Sequence, residues 1–467
     1  MTPDNEINKI GGKIVASGGY GCVFYPPLKC DGTLNREKNK VSKLMTEPYA
    51  NKEYEEIISI KSKLDTIKDY QDYFLIDNLK ICKPDKLTKS DLTNFTNKCK
   101  VMRKNNINKK NINDNLNKLM IINMPYGGIP IDDYLYDNGS FKTIYVVHKS
   151  LFKLLKKGIV EMNKKNIFHA DIKDSNILID DKLNSRLIDW GLCVQYTPFF
   201  NNPFPKTWRN RPLQFNVPFS VIIFSDDFVE KYTHFIRDGG KIEENELKPF
   251  IIDYINFWMK KRGGGHYKFI NEIMYILFSK TFPSVSKNDM PKIIETQITM
   301  PYIVNYILDV LIHFTKFRKD GSLNLREYFD NVFIKIVDIW GLINVYYPIL
   351  EIFSNNSETL TEKEFNIFNK LKYIFLEYLY NPRHEAININ ILYLDFQELT
   401  NLIQLKILNK KNERNTLTIT NSKTGGLKYK TKKFRKTNNS IKNTLFTFKR
   451  RPKLKRFKNP IFLTFKK

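Results

Sequence analysis

Asp171, Lys173, Asn176 and Asp189 lie in one stretch, IFHADIKDSNILIDDKLNSRLIDWG, over residues 167–191; the last three follow Asp171 by two, five and eighteen positions. Their side chains would supply a general base, a cation facing phosphate and two oxygen ligands for a divalent metal. Phosphoryl transfer needs this set, because metal and lysine neutralise charge on the transferred phosphate while one carboxylate orients the attacking hydroxyl. None of the four is informative alone.

Something must hold them in place. The apolar runs 177–179 and 187–188, separated by Asp180, Asp181, Asn184 and Ser185, predict a hairpin. Such a hairpin brings Asn176 and Asp189 to one end, where they can share a metal. An ordinary surface hairpin would have the same turn residues without the four matched offsets.

With these residues in view, the chain resembles the protein kinase family. HADIKDSN stands where that family has H-R-D-L-x-x-x-N, and DWG stands for D-F-G. The wording is most similar to the casein-kinase and vaccinia-related branch. The resemblance implies Asp171 as catalytic base, Lys173 as the residue steadying the transferred phosphate, and Asn176 and Asp189 as Mg2+ ligands, with ATP as donor. It also implies an α+β, bilobal fold: a small antiparallel-sheet lobe over residues 10–126 and a mostly helical lobe over 127–408.

Upstream, residues 10–25 read as two strands around a glycine turn. Aligned on Val23, the segment Ala16, Ser17, Gly18, Gly19, Tyr20, Gly21 matches the family's G-x-G-x-x-G-x-V loop, with Ala16 in place of the first glycine. Small residues there let backbone amides close over phosphates. Residues 40–45, KVSKLM, form the next strand, and Lys43 corresponds to the family lysine that contacts the α and β phosphates. The helix expected over about 50–67 carries its acidic partner, Glu53 first and Glu56 second. Residues 119–126 resemble the hinge between lobes, with Met124 as gatekeeper and Tyr126 and Gly127 beside adenine.

Other segments are read from pattern. Residues 70–80 predict a further strand of the sheet, and the Asn- and Lys-rich residues 94–118 an exposed insertion without a packed core. Residues 144–165 form an amphipathic helix. After DWG there is no A-P-E; RNRPLQFNVPFS at 209–220 stands instead and resembles a stretch in kinases of large cytoplasmic DNA viruses. Ala170 replaces the arginine that in many kinases reads a phosphorylated activation loop, so activity without that phosphorylation is expected. VDIWGL at 337–342 resembles the start of the family's central helix, with Asp338 holding the catalytic loop, which leaves about 226–330 as a helical insertion. NPRHEA at 381–386 loosely resembles D-P-x-x-R-x-T-A.

Composition bounds the rest. The formal charge of the 467 residues is +27, of which +19 sits from Asn409 onward, where twenty Lys and Arg face the single acid Glu413. This tail is expected to be disordered and to bind nucleic acid or another polyanion, an anionic membrane being a further target; a solubilising or nuclear-targeting tail is the plainer alternative. Cys22, Cys30, Cys82, Cys99 and Cys193, odd in number and without a CxxC pair, argue for a reducing compartment with neither disulfides nor structural zinc. No signal peptide is evident, and the apolar run 336–353, broken by Asp338 and Glu351, reads as a core helix rather than a membrane span.

These expectations together describe a cytoplasmic or virion-borne serine/threonine kinase acting on protein substrates. Lys173 separates it from kinases of aminoglycosides and choline. The rival is an inactive kinase-fold scaffold that docks nucleic acid or virion proteins through insertion and tail. Oligomeric state and substrate identity are not legible.

Overall fold

The computed structural model describes residues 12–138, 140–200 and 204–420, the side chains of residues 138, 206 and 409–420 excepted. The chain has the α+β architecture expected, an antiparallel sheet followed by a mostly helical remainder. Two compact units are present. Among the described residues, the first comprises 12–129 with Leu154–Asp171 and Asn176–Tyr196; the second comprises Pro130–Lys153, Ile172–Ser175 and the residues from Thr197 onward.

In the first unit, strands β1 (Lys13–Ser17), β2 (Gly21–Tyr25) and β3 (Lys40–Thr46) precede helix α1 (Glu47–Leu64), then β4 (Lys80–Cys82), the short helices α2 (Phe95–Lys98) and α3 (Lys100–Lys104), and β5 (Leu119–Pro125). The sheet order is β1-β2-β3-β5-β4, and every pairing is antiparallel. Strand alternation sends Cys22, Leu44 and Ile121 to one face and Val23, Lys43 and Ile122 to the other, each trio in cross-strand register. Helix α1 starts with a proline in its first turn behind Thr46 and ends with Lys61 and Lys63, both favourable placements. Its buried stripe, Glu53, Ile57, Ile60 and Leu64, follows helical spacing.

Three expectations for this unit are corrected. Residues 70–80 do not form one strand: a 3-10 turn occupies Tyr70–Asp72, and only Lys80–Cys82 joins the sheet. Phe74, Leu75 and Ile76 are buried, and Leu75 donates its N–H to the Leu187 carbonyl at 3.2 Å, so the segment's apolar run serves the hairpin instead. The insertion 94–118 is packed. Phe95, Cys99, Met102 and Ile112 are fully buried against Cys22, Phe24, Leu44 and Ile121 on the sheet face opposite Lys43. Finally, the cysteines pair: Cys22 with Cys99 and Cys30 with Cys82, while Cys193 is free and buried. Folding the insertion back onto the sheet brings together cysteines that lie 77 and 52 residues apart in sequence.

The chain continues through β6 (Ile129–Pro130), α4 (Ile131–Asn138), α5 (Phe141–Leu154), a π turn (Leu155–Ile159), α6 (Val160–Lys164), β7 (Ile167–Phe168), the hairpin β8 (Ile177–Ile179) and β9 (Ser185–Leu187), and β10 (Val194–Gln195), which pairs with β7. The expected helix over 144–165 and the expected hairpin are both present.

The second unit adds α7 (Asp226–Arg237), α8 (Glu244–Arg262), α9 (Tyr267–Phe278), α10 (Met290–Ile294), α11 (Met300–Phe314), α12 (Arg326–Tyr328), α13 (Ile334–Asn344), α14 (Tyr347–Asn355), α15 (Glu362–Phe375) and α16 (Ile389–Thr420). Its core gathers Phe219, Tyr306 and Trp340, whose rings meet edge-on at 5.5–5.8 Å. The helical run Arg326–Asn355 is long and apolar enough to cross a membrane, but 94% of its most apolar window is buried, as a core helix would be. Helix α16 runs on to Thr420, so the backbone of 409–420 is helical where a disordered tail was expected. No proline or glycine interrupts these residues, and extending an existing helix needs no new nucleus. The rest of the tail, 421–467, and residues 10–11 of the glycine-rich stretch lie outside the described residues.

Buried His148 on α5 ties this unit together. Its Nε2 donates to the Phe396 carbonyl at 3.1 Å, and its Nδ1 lies 2.9 Å from the Tyr346 hydroxyl. Burial pushes the imidazole down to about 4 against the opposing carbonyl hydrogen bond, which keeps the ring neutral near pH 7. Protonation therefore favours the unfolded chain: the contribution is intact above the unfolded value near 6.5 and is lost as pH falls through about 4. Denaturant midpoints measured from pH 7 to pH 4 should fall less steeply for His148→Gln than for the parent. The disulfides give a second test. Closing loops of this length contributes about 2–4 kcal/mol each, so reductant, or Cys30→Ser with Cys82→Ser, should lower the thermal midpoint, and an unchanged melt would exclude the cross-links.

Candidate active site

Lys43 is placed by sheet register. Its Cα partners are Val23 on β2 and Ile122 on β5, so its side chain leaves the sheet on the face covered by α1. Its Nζ donates to both carboxylate oxygens of Glu53, at 2.7 and 2.8 Å, and to Asp189 Oδ1 at 2.9 Å. Burial works against the charge on Lys43, yet Asp189 and Glu53 outweigh it and hold the ammonium well above the usual lysine range. For Glu53 burial dominates, pushing its carboxyl upward against the pull of Lys43. Of the two acids named from sequence, the structure brings only Glu53 here; Glu56 stands over Lys52, 3.7 Å away along the same helix.

The hairpin supplies Asp189. Ile177 pairs with Leu187, and Ile188 donates its N–H to the Asn176 carbonyl at 3.0 Å, so Asn176 and Asp189 leave the hairpin at one end. Asp189 adopts φ +65° and Ala170 φ +58°. A non-glycine residue held in that region costs about 1 kcal/mol, a strain that concentrates at functional sites.

Asp171 is held from two sides. The Asn176 side-chain amide donates to its carbonyl at 2.9 Å and to Oδ2 at 3.0 Å. Its own N–H lies 3.4 Å from His169 Nδ1, while His169 Nε2 donates to the Ile188 carbonyl at 3.0 Å. Fully buried His169 thus links the backbone at Asp171 to the residue before Asp189, with Trp190 packed 4.9 Å from its ring. Sequence reasoning quoted this histidine within its motif and gave it no task. Its place two residues before Asp171 was the available signal.

Asn176 gives its amide hydrogens to Asp171, so its Oδ1 and the Asp189 carboxylate are oxygens that could serve a metal. Such a set, with phosphate oxygens and water completing the shell, suits Mg2+ rather than a thiophilic metal.

The glycine-rich segment is the turn between β1 and β2. Ala16, Ser17, Gly18, Gly19 and Tyr20 are exposed, and Gly18 donates its N–H to the Gly21 carbonyl at 2.9 Å. Gly21 itself is sterically required, since a Cβ there would sit 2.8 Å from the Leu44 carbonyl and 2.6 Å from Met45. On the hinge strand Met124 pairs with Val41, one step along the face from Lys43. Tyr126 donates its N–H to the Asn39 carbonyl at 2.8 Å.

Lys173 falls in the second unit, on Ile172–Ser175. There the Ile172 carbonyl accepts from Asn216 at 3.3 Å, and Gly341 of α13 lets it approach, because a Cβ would lie 2.7 Å from that oxygen. Next to Lys173, burial and the Asp132 carboxylate push Asp174 up to about 6. Asp338 is buried on α13. The stretch standing where A-P-E was missing is core: Leu213, Val217 and Phe219 are buried and the Phe215 carbonyl accepts from Trp340 at 2.8 Å.

Residues 75–203 match the protein kinase domain family. The chain is 39% identical over 41 residues, 9% of its length, to "Probable serine/threonine-protein kinase mkcD" of Dictyostelium discoideum. It is also 39% identical over 49 residues, 10% of its length, to "Probable CTD kinase subunit alpha homolog" of Encephalitozoon cuniculi. The matched segments span 6% and 15% of those relatives. These similarities support a protein kinase of eukaryotic type.

The Lys43 cluster makes a stability prediction. Lys43→Met leaves Glu53 and Asp189 without their cation and should cost about 3 kcal/mol in urea unfolding, the usual result of orphaning a buried charge. Adding Glu53→Gln should restore most of that loss. Additive losses in the double variant would mean that the two side chains do not interact.

Proposed function

We propose that the chain is an ATP-dependent serine/threonine protein kinase that transfers the γ-phosphate of ATP to hydroxyls of protein substrates. One observation carries the reading: Lys43 lies within hydrogen-bond reach of both Glu53 and Asp189, while Asn176 orients the Asp171 carboxylate. In this reading Lys43, positioned by Glu53, binds the α and β phosphates. Ala16, Ser17, Gly18, Gly19, Tyr20, Gly21 and Val23 cover the phosphates, and Met124, Tyr126 and Gly127 border adenine. Asn176 Oδ1 and Asp189 would hold Mg2+, whose charge would offset that of the phosphates. Asp171 accepts the proton of the attacking hydroxyl, and Lys173 steadies the group in transit. The lobe boundary at 126/127, the insertion at 226–330 and the polyanion-binding tail belong to the same reading.

A viral source, with action in the host cytoplasm or the virion, is the corresponding proposal for location. The two disulfides favour the virion of these, since the cytosol keeps thiols reduced. The independence from activation-loop phosphorylation rests on Ala170, which offers no guanidinium to a phosphate.

Incubation of the full chain with Mg2+ and γ-labelled ATP, with basic and acidic generic proteins as acceptors, tests the activity. Label should reach Ser or Thr and should fall by at least about 1,000-fold in Asp171→Asn, since general base and positioning are lost together. Folded protein that transfers no label would replace the kinase reading with that of an inactive scaffold.

A further inference from the structure

Away from the Lys43 cluster, the second unit brings together Asp309, His313 and His384. Asp309 and His313 are four residues apart on α11, one turn along the same face. His384 comes from the segment 381–386 that follows the π turn Leu376–Tyr380. Its Nε2 lies 2.5 Å from Asp309 Oδ2, and its ring stacks on His313 with centroids 3.3 Å apart and planes 26° from parallel. Potential ligand atoms of all three residues lie within 4.8 Å of one another.

We propose that these three side chains form a transition-metal site of the zinc class. Two imidazoles and a carboxylate are a donor set that binds Zn2+ with a fourth position left to water, and nitrogen donors select such a metal over Mg2+ or Ca2+. The geometry needs little adjustment: bonds of about 2.0–2.2 Å place neighbouring ligands roughly 3.5 Å apart, which small side-chain rotations reach from the observed separations. The cation next to His384 in the sequence is engaged elsewhere. Arg383, adjacent to His384, turns its guanidinium to the Glu377 carbonyl and carboxylate and lies over the Tyr378 ring. The donors are also reachable from solvent, the Asp309 and His384 side chains being 29% and 41% exposed.

The placement says what the metal does. Helix α11 belongs to the helical insertion over 226–330, whereas His384 lies beyond α15, more than 50 residues past the insertion's end. A shared ion would staple the insertion to the chain that returns to the core. This role is structural and independent of phosphoryl transfer.

The full chain, stripped with chelator and dialysed, would be titrated with Co2+ in excess Mg2+, which keeps the all-oxygen site occupied by its own metal. One equivalent should bind with the visible absorption of low-symmetry four-coordinate cobalt, and Zn2+ should displace it and raise the thermal midpoint. His313→Ala and His384→Ala should each weaken binding by more than about 100-fold, beyond the cost of losing an outer-shell partner. Asp309→Asn, nearly isosteric, repeats the test should an alanine variant fail to fold, and His234→Ala, at an exposed histidine elsewhere, should bind as the parent does. Absence of cobalt binding, or binding indifferent to these site substitutions in folded protein, would overturn the assignment.

Discussion

The first unit depends on keeping one ammonium group between two carboxylates, one near to it in the sequence and one far from it. Lys43 and Glu53 are ten residues apart, whereas Lys43 and Asp189 are 146 apart. Removing these charges from water is costly, and only close pairing with good geometry offsets it. The three groups together carry one net negative charge. Sheet register, the rotation of α1 and the position of the hairpin must therefore all be correct at once. A helix turned by one residue would replace Glu53 with Tyr54 and leave Lys43 against Asp189 alone.

The sheet meets this demand by being covered on both faces. In one register row Val23, Lys43 and Ile122 face α1; in the next, Cys22, Leu44 and Ile121 face the insertion. Because a slip of one residue would exchange the two faces, apolar packing of the insertion also fixes which way Lys43 points. The disulfide at Cys22 joins the insertion to the strand directly after the glycine-rich turn. Strand β2 is thereby held, while Ser17 to Tyr20 stay exposed.

Much of this was legible. The stretch 167–191 stands out by residue types at the offsets that phosphoryl transfer would need, and the hairpin by apolar runs around turn residues. Glu53 could be preferred because Ile57 and Ile60 follow it on the inward face. The insertion misled because its asparagines and lysines dominate the composition, although Phe95, Cys99 and Met102 keep a spacing of four and three residues, as one face of a helix does. Residues 70–80 misled differently. Their apolar run is real, but propensity cannot say whether it pairs with the sheet or with Leu187, more than 100 residues away. Cysteine pairing was hidden for the same reason, since parity counts residues and only the folded insertion brings partners together. His169 had a known position and no assigned contact, because its role is to bond a carbonyl that sequence cannot locate.

Departures from the kinase pattern are concentrated where packing can replace a lost contact. Residues 209–220 stand in for A-P-E, and they are anchored by the Trp340 and Trp258 indoles, which donate to the Phe215 and Arg211 carbonyls. Asn216 then reaches the Ile172 carbonyl beside Lys173, at a point where Gly341 removes the side chain that would block the approach. The stretch carrying Lys173 is thus fixed by the Asn216 side-chain amide bonded to the Ile172 carbonyl and by close contact with α13, which require no charge pair. Sequence can drift widely around such an anchor provided the indoles and the glycine persist. The Lys43 cluster allows no comparable drift, because one ammonium group is the shared partner of both carboxylates.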